Sequence, residues 1–255
     1  MISGFDHTVY LVAEADDLDA AARWFESLGF AVTDRDDEGK ESAATAQKLV
    51  CFEDGSYIEI LTIRDADARK RHRFTSLLGN GDGWVDSSVC TDDLAAVEAS
   101  LRNAGMPFSG PHRHERRLRS GQPWGVKLVL PGSREGYPTL PFVIEDIAGR
   151  NLRIPSANTR HANGVTGTAG ISVSVTDLRA AASGFGTLFG PGQAVGSPFH
   201  EAERALRYRV AAQWLDVLER PQERVGMMSM ALTCLAMRET IWLATGRGAM
   251  ACVPA

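Results

Sequence analysis

Residues 84–105 read WVDSSVCTDDLAAVEASLRNAG, and this stretch predicts a β-strand followed by an amphipathic helix. The strand covers 84–90, and the pair Asp92-Asp93 is typical of the residues that begin a helix. Leu94, Val97 and Leu101 then recur at the i, i+3, i+7 spacing of one helix face, and Gly105 ends the helix.

The same strand-and-helix pattern occurs elsewhere in the chain. An earlier copy has a strand at 5–12, the triplet Asp16-Asp17-Leu18 and a closing Gly29. A third copy has a strand at 170–175 and the triplet Thr176-Asp177-Leu178. A degraded fourth is predicted in 227–248, with Leu235, Ile241 and Trp242 on its helix.

Extended segments follow each of the first three helices. The first repeat predicts a hairpin of strands 48–52 and 57–61 around Asp54-Gly55. The corresponding strands are 126–130 and 141–147 in the second repeat, and 207–210 and 213–218 in the third. Each unit is therefore β-α-β-β-β, and the fold class is α+β. Units of about 60 to 70 residues rarely fold well alone, so we expect them to pair.

The repeats divide the chain into two halves. Residues 1–147 hold a pair of modules, 1–65 and 82–147, and 148–168 form a turn-rich linker. Residues 169–255 hold the third module and the remnant of a fourth, with no residues left for its last three strands. Either the C-terminal half is an incomplete pair, or a second copy of the chain completes its sheet in a homodimer.

Composition narrows the class of protein. The 255 residues are 44% apolar and 23% charged with a net charge of −5, which indicates a globular protein and makes nucleic acid an unsuitable partner. The four cysteines form no CxxC pair and no secretory apolar segment follows Met1, so we expect a cytoplasmic protein. No apolar run approaches the roughly 20 residues that cross a bilayer.

The modules resemble the vicinal oxygen chelate superfamily, specifically its glyoxalase-like domain branch (glyoxalase, bleomycin resistance and dioxygenase type). The likeness rests on the histidine at the start of a strand, the Asp-Asp-Leu helix openings, and a glutamate on the last strand. The strand 141–145, Pro-Phe-Val-Ile-Glu, followed by His-Ala-Asn-Gly at 161–164, is similar to that branch in particular.

This resemblance implies that two modules close a curved eight-stranded sheet around a divalent metal. Transferred to this chain, the ligand positions are His7 and Asp86 on first strands and Glu59 and Glu145 on last strands. The third module has Gly170 and Asp216 at these places. A metal set is thus expected only in the N-terminal pair.

The two glutamates have alternative interpretations. Glu59 shares a strand face with Tyr57 and Leu61, where a carboxylate is costly unless a cation or donor meets it. A metal or substrate satisfies that requirement; so does a solvated face or an arginine. Asp86 is either a fourth ligand or a solvated strand residue, and without a second histidine iron-based oxygen activation is disfavoured.

A set of one imidazole and several carboxylates suits Mn, Fe, Co, Ni, Mg or Zn, and no organic cofactor is indicated. Such a metal polarises a carbonyl or stabilises an enediolate, while Glu145 or Glu59 acts as the catalytic group that moves protons.

Four further residues are candidates for binding substrate. Arg113 and Arg116 lie in the segment 112–119, expected as a loop at the cup mouth, where guanidinium groups capture carboxylates; a solvated surface is the alternative. Trp84 and Trp124 are candidates for an aromatic wall.

Two functions are compatible with these features. One is a metal-dependent lyase or isomerase that acts on a small oxygenated metabolite. The other is a metal-free protein that binds or sequesters a small molecule, as in drug resistance. The sequence does not identify the ligand.

Overall fold

The computed structural model describes residues 1–132, 139–196, 204–220, 226–234, 241–245 and 248–254. None of the helices within these ranges is long and apolar enough to cross a membrane. The strands are β1 (Ile2–Val12), β2 (Thr45–Cys51), β3 (Tyr57–Ile63), β4 (Gly83–Thr91), β5 (Phe108–Arg117), β6 (Pro123–Pro131), β7 (Phe142–Ala148), β8 (Val165–Val175), β9 (Gln193–Gly196), β10 (Arg204–Val210), β11 (Gln213–Glu219), β12 (Gly226–Cys234), β13 (Ile241–Thr245) and β14 (Gly248–Pro254). The helices are α1 (Leu18–Ser27), α2 (Ala66–Arg71), α3 (Thr75–Leu78), α4 (Leu94–Asn103), α5 (Arg150–Arg153) and α6 (Leu178–Phe189).

The N-terminal half forms one sheet in the order β2-β3-β1-β4-β7-β6-β5. The resemblance predicts eight strands, and the described residues give seven. In place of an eighth strand, the segment 33–37 makes single bridges from Thr33 to Leu49, in β2, and from Asp37 to Leu118, after β5. Because this segment touches both outer strands, the sheet curls into a cup.

The C-terminal half repeats this plan in a sheet of order β13-β14-β12-β8-β11-β10-β9. The fourth repeat is more complete than its sequence indicates. Ile241 and Trp242 lie on strand β13 and not on the predicted helix, and β14 pairs in parallel with β12. The prediction failed because β-branched and aromatic residues suit strands as well as helices in so short an apolar run. Leu235 lies outside the described residues.

The two sheets pack face to face around one apolar core. Tyr10 and Val12 of β1, Val89 of β4 and Ile171 of β8 belong to the same buried cluster. Thr8 donates to the sulfur of Met230 at 3.3 Å across this interface. The other face of the N-terminal sheet, which carries His7, therefore points away from the C-terminal half.

Residues 64–82, expected only as a joining segment, cover part of that other face. We call them the strap. Helices α2 and α3 of the strap place Phe74 on a cluster that includes Val9, Leu11 and Ile63. Because these residues come from β1 and β3, the strap fills one end of the cup.

Candidate functional site

His7 lies on the cup face of β1 with only 5% of its surface exposed. Its ring stacks on Tyr57 of β3 at a centroid distance of 4.6 Å and meets the edge of Phe142 of β7 at 5.2 Å. The aromatic contacts leave Nε2 facing Glu59, whose Oε2 is 3.9 Å away.

The other ring nitrogen of His7 is held by its neighbour Asp6. The distance from Nδ1 to Asp6 Oδ2 is 2.7 Å. Adjacent strand residues normally point to opposite faces, but the pairing of β1 with β4 shifts between Phe5 and His7. This bulge makes Asp6 the extra residue and turns its side chain toward the histidine.

Two arginines from the segment after β7 bind Asp6. Arg153 donates to both carboxylate oxygens, at 2.9 and 2.8 Å, and Arg150 donates to Oδ1 at 2.8 Å. Gly149 has φ of 65°, which allows the chain to turn directly from β7 into α5 and bring both arginines back to the sheet. Asp146 accepts from both arginines, which makes the cluster electrically neutral.

Asp6 is ionised in this setting although it is fully buried. Burial alone would raise the pKa of its carboxyl, but the charge and hydrogen bonds of Arg153, together with His7, hold the pKa well below its ordinary value of 3.8. Burial also raises the pKa of Tyr57, whose hydroxyl accepts from Arg153 at 3.1 Å. The histidine is thus presented by a permanent anion and a neutral phenol.

Asp86, the third predicted ligand, lies on the cup face of β4, opposite Val9. Its carboxylate is bound by Arg73 of the strap. Burial raises the pKa of Asp86 and outweighs the opposing effect of Arg73. The Arg73 guanidinium also lies over the rings of Phe74 and Phe142, at 4.6 and 5.0 Å. Asp86 therefore has a cationic partner from within the chain.

Glu145, the fourth predicted ligand, points to the opposite face of its sheet. Its Oε2 accepts from the backbone N–H of Leu94, the first residue of α4, at 3.3 Å. The strand registers explain the displacement. If His7, Asp86 and Gly170 correspond, the β1–β3, β4–β7 and β8–β11 pairings align Glu59 with Phe142 and Asp216. An offset of three residues reverses the strand face.

Ser88 is a buried group of the cup without a partner. It pairs with His7 on one side and Phe142 on the other, so it shares their face. Its hydroxyl has no hydrogen-bond partner among the described residues and the residue is fully buried. An unsatisfied buried hydroxyl is costly, which favours a ligand or water at this place.

The donors of the cup do not fit a tightly held metal ion. The described residues contain no group of three or more His, Cys, Asp or Glu side chains arranged to hold one. His7 and Glu59 come together, but Asp86 is paired with Arg73 and Glu145 with the start of α4. Catalytic metals in proteins usually have three protein ligands, and this arrangement supplies two.

The predicted substrate-binding residues are dispersed. The segment 112–119 was expected as a loop, but 108–117 form the outer strand β5, because its backbone pairs with β6 while its charged side chains face solvent on both sides. Arg113 is exposed and pairs with Glu115 on the same strand. Arg116 lines a cavity of about 480 Å³ beside β2 with Arg35 and Gln47.

The two tryptophans are structural in their contacts. Trp84 is fully buried and donates from Nε1 to the carbonyl of Ala249, so it faces the C-terminal sheet. Trp124 donates to Asp37 at 2.9 Å and lies under Arg35, at 4.3 Å. These contacts help to hold the bridging segment 33–37 in place.

The corresponding place in the C-terminal cup is filled. Gly170 occupies the position of His7, and a Cβ atom added to it would lie 2.2 Å from the ring of Trp214. Asp216, at the position of Glu59, is fully buried and accepts two hydrogen bonds from Arg207, at 2.7 and 2.8 Å. This half has the architecture of the site without its imidazole.

A family model described as "Glyoxalase-like domain" matches residues 5–189. The chain belongs to the glyoxalase-like domain family. This match covers the whole N-terminal cup and the first strand and helix of the C-terminal half, and it confirms the resemblance to the vicinal oxygen chelate superfamily. No curated protein matches the chain significantly.

Solved structures support the fold of this glyoxalase-like protein. A hypothetical protein from Staphylococcus aureus is 14% identical, with a TM-score of 0.75, over 98% of this chain and 99% of that chain. A mutant of 4-hydroxymandelate synthase from Streptomyces coelicolor is also 14% identical, with a TM-score of 0.51, over 91% and 71% of the two chains. At such identities the likeness shows the tandem-module fold alone.

Proposed function

We propose that the N-terminal cup binds a small oxygenated organic molecule and that His7 and Glu59 transfer a proton at it. The observation that carries this proposal is the series Asp6–His7–Glu59, in which one imidazole contacts a carboxylate through each nitrogen, at 2.7 and 3.9 Å. An imidazole oriented by a buried carboxylate is a common arrangement for general acid–base catalysis.

The remaining groups of the cup suit a polar ligand that carries an acidic C–H bond. Glu59 retains 22% of its side-chain exposure and Arg73 retains 25%, so both reach solvent. The hydroxyl of Ser88 offers a further hydrogen bond beside His7. A carbonyl or carboxylate bound by Arg73 and Ser88 would have its neighbouring C–H within reach of His7 or Glu59.

The test is hydrogen exchange at carbon. The protein is incubated in D2O with a panel of small aldehydes, 2-oxo acids and 2-hydroxy acids, and proton NMR follows the loss of the C–H signal. We expect exchange with at least one compound in the presence of EDTA, and a reduction of about 100-fold or more in Glu59→Gln and His7→Gln. Glu145→Gln is the matched control, because it alters the same residue type on the opposite face, and it should exchange normally.

Two outcomes would count against the proposal. If no compound of the panel exchanges, or if Glu59→Gln retains full activity, His7 and Glu59 are not an acid–base pair. Exchange that disappears in EDTA and returns with a divalent ion would instead favour the metal-dependent enzyme.

Metal-free binding without turnover is the second candidate, and the aromatic contacts of Tyr57 and Phe142 around His7 favour it. It predicts calorimetric binding of an aromatic ligand that is unaffected by chelator and by Glu59→Gln.

A further inference from the structure

We propose that Asp6 and Arg153 are positioning residues that fix the tautomer of His7. This inference rests on the proposed function, since it assigns to these residues the presentation of Nε2 to the ligand. In the described residues, Asp6 is the one polar side chain within hydrogen-bond distance of His7 Nδ1, and it is wholly buried.

The tautomer follows from the charge of Asp6. An ionised carboxylate only accepts hydrogen bonds, so Nδ1 of His7 must carry the proton that joins them. In the neutral ring, Nε2 then has a lone pair directed at the cup, where it can accept a proton from a ligand. The orientation of the ring is fixed as well, because Tyr57 stacks on its face.

Arg153 keeps Asp6 both ionised and in place. Only 2% of the Arg153 side chain is exposed, and its two terminal nitrogens span both oxygens of Asp6. Its remaining contacts, to Asp146 and to the Tyr57 hydroxyl, anchor the guanidinium on β7 and β3. The residue acts on His7 through Asp6, with which it forms a two-pronged pair.

Asp6→Asn should reverse the tautomer. Oδ1 of Asp6 receives donors from both Arg150 and Arg153, so the oxygen of an asparagine amide belongs there. Its NH2 group would then replace Oδ2 and donate to His7 Nδ1, which would have to accept. The proton of the neutral ring moves to Nε2, and the acceptor facing the cup is lost.

The experiment is NMR of full-length protein labelled with ¹⁵N in its six histidine rings, with His7 assigned by His7→Gln. We expect a protonated Nδ1 in the unchanged protein and in Arg153→Lys, which retains the charge. Asp6→Asn should show the Nε2–H form and Arg153→Met a mixture. Asp216→Asn is the control, because it disrupts an equally buried carboxylate–arginine pair in the C-terminal half and should leave the His7 signals unchanged.

An unchanged Nδ1–H form in Asp6→Asn would overturn the inference. If Asp6→Asn does not fold, the comparison of Arg153→Met with Arg153→Lys decides, and identical His7 signals in the two would overturn it equally. Because these signals are measured without substrate, they separate the inference from the proposed function. A reversed tautomer in a protein that exchanges no substrate would leave the positioning role standing and remove the acid–base role.

Discussion

Glu145 and Glu219 have the same contact in two different repeats. Glu145 accepts from the backbone N–H of Leu94, and Glu219 accepts from that of Leu178, each the first residue of its repeat's helix. The preceding aspartates cap the same helices, since Asp93 accepts from Ala96 and Asp177 from Ala180. A carboxylate near the N-terminus of a helix is favourable because it satisfies a free N–H and complements the helix dipole.

This relationship predicts a structural role for Glu145. Replacing it with Ala should lower the free energy of unfolding by about 1 kcal/mol, and Glu219→Ala should cost a similar amount. Urea denaturation measures both. Ligand binding and divalent-ion binding by the folded Glu145→Ala protein should equal those of the unchanged protein. A selective loss of ion binding would show instead that Glu145 is a ligand.

The fold could be predicted because its signals are local. The aspartates before Leu94 and Leu178 do cap helices, and the apolar spacing after them gives the buried helix face. The site could be predicted in part for the same reason: His7, Glu59 and Asp86 share a sheet face, as the two-residue period of strands and the repeat alignment require.

The rest of the site depends on features that a local pattern does not contain. Asp6 reaches His7 only because of a bulge in β1, which breaks the two-residue period. Arg73 and Arg153 lie in segments that resemble linkers, and only tertiary structure brings them to the cup. Glu145 was misplaced because strand register, which no counting from turns determines, sets its face.

The stability of the protein should depend on the ionisation of Asp6. Its folded pKa is lowered from 3.8, so its contribution is fully present above pH 3.8 and is lost as the pH falls toward the folded value. The stability difference between the unchanged protein and Asp6→Asn should therefore shrink as the pH is lowered below about 4, as measured by urea denaturation.

Asp86→Asn supplies a control of opposite sign for this measurement. The folded pKa of Asp86 is raised above 3.8, so its ionisation disfavours the folded state as the pH rises through the window above 3.8. Relative to Asp86→Asn, the unchanged protein should gain stability as the pH falls through that window. A difference that is independent of pH for both variants would contradict these assignments.

Gly170 should tolerate no side chain. A Cβ atom at this residue would lie 2.2 Å from the ring of Trp214, so Gly170→Ala should destabilise the protein by roughly 1–3 kcal/mol through overpacking. Gly186, inside α6, is the matched control: a Cβ atom there meets nothing within 4 Å, and Gly186→Ala should stabilise by up to about 1 kcal/mol. Thermal unfolding compares the two, and equal effects would show that Trp214 does not fill the C-terminal cup.

Phe74 should hold the strap on the cup. Its side chain is 5% exposed, packs with Val9, Leu11 and Ile63, and lies under the Arg73 guanidinium. Phe74→Ala should cost about 3–5 kcal/mol in free energy of unfolding. Because the lost contacts join the strap to the sheet, we also expect faster amide exchange across 64–82 than in the C-terminal sheet. Phe108→Ala, on the outer strand β5, is the control and should leave exchange in the strap unchanged. Uniform acceleration throughout the protein in Phe74→Ala would mean that the strap opens only with global unfolding, in which case it does not regulate access to His7.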